Sequence, residues 1–129
     1  MSESTADGFG RVLVAVYAVF ALAATARSLV QIATRFDEAP VAYLLSAFAG
    51  IVYIVATIAL GLGRDSTRGL ALVTILVELI GVLAVGTLSL VDEELFPDDT
   101  VWSGFGQGYG YVPLVLPFVG LWWLRHTRA

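Results

Sequence analysis

The chain has no cysteine, no lysine and one histidine, and each shortage closes a route to function. Without cysteine there can be no disulfide, thiolate metal site or thiol nucleophile. The lone histidine, His126, lies near the C-terminal end with no evident serine and acid around it, so enzyme chemistry has almost nothing to use, and an enzyme acting on lipid is the weakest reading. All seven basic residues are arginine, a bias typical of a GC-rich bacterial genome. Charged residues make up 14% of the chain and the net charge is -4, drawn mostly from one acidic stretch, which argues against a nucleic-acid surface. No cofactor or metal is expected.

Apolar residues fill the space that charge leaves. They amount to 58% of the chain, with a mean hydropathy of +0.85, far outside the range of soluble domains of this length. The charges are also clustered, and the long runs between them are what lipid demands of its solute. The composition therefore predicts one transmembrane domain over residues 1–129, all-α and polytopic. Its spans are about 12–34, 41–62, 70–91 and 102–124, and together they form a four-transmembrane-helix bundle. The first, of about 23 residues, makes roughly 34 Å of helix, enough to cross a bilayer. Ala24-Thr25-Ala26 offers a competing reading as a signal-peptide cleavage site, opposed by the acidic rather than basic leader. Pro40 opens the second span, where a proline is tolerated.

The fourth span is the irregular one. Tyr111 to Leu124 gives only about 21 Å of helix, short of the membrane thickness. Adding the run "SGFGQGYG" extends it to Trp102, so that Trp102 at one interface and Trp122 and Trp123 at the other act as aromatic anchors. This run lacks the lysine of a phosphate loop and has no strand before it. Read as helix, it pairs Gly104 with Gly108 and Gly106 with Gly110 at the four-residue spacing that lets helices approach closely. Pro113 and Pro117 each lack an amide hydrogen and predict a kink. Broken helices of this kind line substrate sites in transporters, whereas elsewhere neighbours or water simply satisfy the freed carbonyls.

Arginine placement sets the expected orientation. Arg11, Arg64, Arg68, Arg125 and Arg128 fall on one side and Arg35 on the other, so both termini are expected in the cytoplasm of a bacterium, with the protein in its plasma (inner) membrane. The acidic loop, Asp92, Glu93, Glu94, Asp98 and Asp99, then faces outward. It has the oxygens for a hard cation but not the spacing of a calcium loop, and reads as solvated.

Two charges lie within the spans. Glu78 sits in the third, and an ionisable group at that depth marks a site by default. Arg27 in the first span is its candidate partner, with Gln31 and Thr74 as neighbouring polar groups, although by helical rise the two differ in depth by about 10 Å. A relay would move a proton or an ion through Glu78, whereas a structural role would fix it in a pair or a hydrogen bond. In the second span Ser46, Gly50, Tyr53, Thr57 and Gly61 recur at three or four residues, a small and polar stripe that marks helix packing.

"RFDEAPVAYLLSAFAGIVYIVATIALG" and "LFPDDTVWSGFGQGYGYVPLVLPFVGLWWLRH" resemble segments of small uncharacterised four-helix integral membrane proteins of actinobacterial type, over nearly the whole chain. That resemblance implies a topology and no activity. Small multidrug-resistance transporters carry their membrane glutamate in the first helix, where this chain has Arg27, and the motifs of fluoride channels are missing. The sequence thus predicts a non-enzymatic accessory or assembly subunit of a larger membrane complex. Its partners are the lipid bilayer and either another membrane protein or a further copy of the chain. The alternative is a small ion- or proton-coupled transporter or channel working as a homo-oligomer around Glu78.

Overall fold

The computed structural model describes residues 2–63, 65–92, 94, 96 and 100–126, with side chains from residue 8 onward, Asp65 excepted. Arg64 and Arg128, and Glu93, Asp98 and Asp99 of the acidic loop, lie outside the described residues. The described residues are helical with no strand, in the order α1 (Ser2–Arg35), a 3-10 turn (Phe36–Glu38), α2 (Pro40–Leu62), α3 (Asp65–Val91), a glycine-rich turn (Ser103–Tyr109) and α4 (Val112–His126).

Local sequence sets the helix ends. Pro40 occupies the first position of α2, where its missing N–H would have had no partner anyway, and the carbonyl of Ala39 accepts from Tyr43 N at 2.9 Å. Gly63 closes α2 with φ of 60°, a left-handed cap that glycine adopts without a Cβ penalty. Three helices are long and apolar enough to cross a membrane, over Gly8–Glu38, Pro40–Leu62 and Ser66–Val91. Their outward faces carry Leu22, Ile51 and Ile80, which are 60% exposed or more, a surface that suits lipid rather than water. The chain is a multi-pass, all-helical membrane protein.

α1 and α2 form an antiparallel hairpin. Gly50 lies opposite Thr25 and Gly61 opposite Val14, the same interval of eleven residues on both helices. At Gly50 an added Cβ would come within 3.2 Å of the Thr25 backbone nitrogen, so the hairpin closes there because the position is glycine. α3 packs on α2, and α4 packs chiefly on α3. The start of α1 and the end of α4 lie at one end of the bundle, here the termini end, because Trp123 of α4 covers Gly10 and Trp122 meets Phe9 edge-on at 5.8 Å.

The fourth segment departs from the sequence expectation. α4 has 15 residues, about 22 Å, too short to span alone, and the glycine run does not extend it. Gly104, Phe105 and Gly106 are successive left-handed residues (φ 58°, 62° and 85°), and Gly110 and Tyr111 have positive φ as well. The alternate glycines make turns, not a helix-packing face. Three successive left-handed residues cannot continue a right-handed helix, and the turn they make seats Trp102 in the niche above Gly81 and Phe105 in the niche above Gly86. Pro113 falls in the first turn of α4, where nothing is lost, while Pro117 within the helix withholds one bond from the carbonyl four residues earlier.

Candidate functional site

Along α1 the positions Leu13, Tyr17, Phe20, Ala24, Ser28 and Gln31, spaced by three or four, make one buried stripe. Tyr17 points from that stripe at α3, and its hydroxyl donates to Glu78 Oε1 at 2.6 Å. Glu78 is wholly enclosed at 0% exposure, and its second oxygen, Oε2, has no hydrogen-bond partner among the described residues. Around this bond stands an aromatic cluster. Tyr53 of α2 lies with its ring 6.0 Å from Tyr17 and stacks on Phe20 at 5.5 Å. Its hydroxyl accepts from Trp102 Nε1 at 2.9 Å. A buried indole N–H and a buried phenol thus satisfy each other.

This arrangement corrects two expectations. Glu78 is bonded to Tyr17 rather than Arg27. Arg27 reaches the turn instead, donating from Nη1 to Tyr109 OH at 3.4 Å. The depth mismatch read from the sequence is the physical reason, together with position on the helix, since Arg27 lies at the flank of the stripe that carries Tyr17. Trp102 is no interface anchor, being 1% exposed at the centre of the aromatic cluster; Trp122 is 54% exposed near the end of α4, stacked on His126, and Trp123 is half-buried on Gly10.

The polar neighbours do not converge on Glu78. Thr74 is buried one turn away but returns its hydroxyl to Leu70 O at 2.6 Å, as threonine in a helix commonly does. Gln31 is buried 14 residues beyond Tyr17 on α1, about 21 Å along the axis, with Oε1 unpartnered. On α2, Ser46, Gly50 and Tyr53 are buried, whereas Gly61 is exposed.

The glycine turn is tied down by side chains rather than by a helical ladder. Thr100 Oγ1 accepts from Trp102 N at 3.0 Å and from Ser103 N at 3.1 Å, and Ser103 Oγ accepts in return from Thr100 N at 2.8 Å. Ser89 on α3 accepts from Gly104 N at 2.8 Å. Each contact satisfies a backbone or hydroxyl group that lipid could not.

A second feature is lateral. α1 and α4 diverge above Trp122 and leave a crevice of about 280 Å3 lined by Phe9, Val12 and Val16 on one side and Val112, Val115 and Val119 on the other. It is almost wholly apolar and reaches Gly110 at its upper end. The same face of α1 continues through Phe20, which meets Tyr109 at 5.5 Å, to Arg27.

Among the described residues no group of histidine and carboxylate side chains could hold a metal ion; Asp92 and Glu94 of the acidic loop are exposed. Sequence reasoning missed Tyr17 and gave Tyr53 and Trp102 other roles, in a packing stripe and at an interface. The available signal was a phenol in the middle of an apolar span, which needs a hydrogen-bond partner as surely as a carboxylate does. No protein-family model, curated protein or solved structure matches the chain.

Proposed function

We propose that the protein is a non-enzymatic integral membrane subunit that accompanies or assembles a larger complex in a bacterial plasma membrane, with both termini cytoplasmic. The α1/α4 crevice carries this reading. Small residues on the long helices are largely used within the chain: Gly50 on Thr25, Gly81 under Trp102, Gly86 under Phe105. The crevice is left open by the chain's own side chains, beside a turn whose Gly108 and Gly110 are exposed. Non-helical backbone at membrane depth is stable only where protein or water covers it. A photo-crosslinking residue at Val16 or Val115, introduced in the native host, should trap one defined membrane protein in stoichiometric yield, while the same residue at lipid-facing Leu72 traps none. Adducts to lipid alone at all three positions would remove the subunit reading.

A second reading rests on Glu78. Its free Oε2 is a buried acceptor without a donor, and a proton- or ion-coupled carrier working as a homo-oligomer would use that oxygen. In vesicles containing the purified chain alone, Glu78→Gln should then abolish flux and leave assembly intact. Undiminished flux in that variant eliminates the carrier.

A further inference from the structure

We infer that the α1/α4 crevice receives a single transmembrane helix of another protein, and that this helix carries a carboxylate which pairs with Arg27; the inference rests on the subunit reading above. Arg27 lies eight residues from the end of α1, about 12 Å below the distal end of the bundle. Helical side chains lean toward the N-terminus, so its guanidinium is carried deeper still. It bonds there to Tyr109, whose ring rests on Phe20 two turns nearer the termini end. The 3.4 Å hydrogen bond to a neutral phenol is the contact Arg27 makes, and no carboxylate of the described residues pairs with it. Half-buried and at this depth, a cation needs an anion.

Position selects the anion. Phe9, Val12 and Val16 line the crevice and Arg27 falls on the same face of α1 at helical spacing, with Phe20 buried under Tyr109 between them, so a helix laid over the crevice that crosses the turn at exposed Gly108 and Gly110 comes to Arg27. An apolar helix matches the crevice along its length, and one aspartate or glutamate on it matches the cation at its end. A lipid phosphate fits poorly, because headgroups lie at the interface, about 12 Å away. A second copy of this chain fits no better: among the described residues Asp37 and Glu38 lie at the very end of the first span, and Glu78, deep in the third, is enclosed and held by Tyr17.

The test uses the full chain in phosphatidylcholine vesicles and a designed leucine-alanine transmembrane helix, labelled for energy transfer, with one glutamate eight residues from its distal end. A matched helix carries glutamine there. The wild-type chain should bind the glutamate helix about tenfold more tightly than the glutamine helix, equivalent to about 1.4 kcal/mol. Arg27→Gln should erase that preference with the helical circular dichroism unchanged, Arg27→Lys should keep most of it, and Val16→Trp, by filling the crevice, should weaken both helices alike. Equal binding of the two helices by the wild type overturns the inference, and so does a preference that survives Arg27→Gln. Full displacement of the glutamate helix by a few mole per cent of phosphatidylglycerol also overturns it, by assigning Arg27 to lipid. If crosslinking finds a stoichiometric partner while the designed helices bind equally, the Arg27 pairing fails and the subunit reading stands. If neither is seen, both fail.

Discussion

The α1–α2 hairpin and the segment from Thr100 to His126 solve one problem in opposite ways. In the hairpin the backbone groups between the helix ends are satisfied within their own helix, and the two helices close on each other where Gly50 meets Thr25 and Gly61 meets Val14 at a matched interval. The later segment has no α-helix over the twelve residues from Thr100 to Tyr111 and must find its partners elsewhere. Thr100, Ser103 and Ser89 supply them, while Gly81 and Gly86 on α3 accept two aromatic rings. Regular helices tolerate change because their bonding is local; the turn depends on named side chains of a distant element, and its sensitivity should be correspondingly concentrated.

Substitutions that block the niches test this contrast most severely. At Gly81 an added Cβ already overlaps the Trp102 ring, so Gly81→Leu must expel the indole, break its bond to Tyr53 and lift the turn from α3. A loss of about 3 kcal/mol or more is expected in denaturant titration of the detergent-solubilised protein, whereas Gly69→Leu, with open space around it, should leave stability nearly unchanged. Next comes Gly106→Ala. The residue has φ of 85°, and a methyl there meets the Pro113 ring, so backbone strain and overlap add to about 2 kcal/mol. If Gly106→Ala proved as harmless as substitution at open Gly108, the turn described here would be wrong.

A smaller effect separates the Glu78 site from its surroundings. Tyr17→Phe removes the one donor that Glu78 has among the described residues and leaves both carboxyl oxygens buried without a partner, for a loss of about 1–2 kcal/mol. Arg27→Gln should cost the isolated protein less, because Arg27 is half-buried and bonded only to a phenol at 3.4 Å. The reverse order in the same titration would return Arg27 to Glu78 as its partner.

How far the sequence reaches follows from where each decision is made. Membrane class, the three long helices and the start of α2 at Pro40 are local matters of charge spacing and proline chemistry, so they are legible in the chain. The glycine run is not, because glycines at alternate positions also give pairs four apart; both the packed helix and the left-handed turn fit the pattern. The turn is seated in a pair of niches at Gly81 and Gly86, some twenty residues earlier on another helix, and that tertiary contact is not written in the glycine spacing. The partner of Glu78 was half legible. The stripe of Leu13, Tyr17, Phe20 and Ala24 can be read from spacing, and it excludes Arg27 from its centre, but that Tyr17 lies level with Glu78 depends on the offset of α3 against α1.

The smallest of these effects isolates the join between the two regions. Ser89 sits two turns above Val82 on α3 with its hydroxyl used twice, donating to Gly86 O and accepting from Gly104 N, both at 2.8 Å. Ser89→Ala leaves the helix bond of Gly86 O in place but deprives the Gly104 N–H of its partner, at a cost of about 1 kcal/mol. Thr87 is the matched control. Its hydroxyl donates to Leu83 O at 2.8 Å within the same helix, on an exposed face, so Thr87→Ala removes a bond that serves no other element. Amide hydrogen exchange reads the difference directly: Ser89→Ala should speed exchange at Gly104 and Phe105 and leave the α1–α2 hairpin untouched, while Thr87→Ala changes neither. Faster exchange throughout the hairpin in Ser89→Ala would mean that the two regions fold as one unit and that the turn is not separately held.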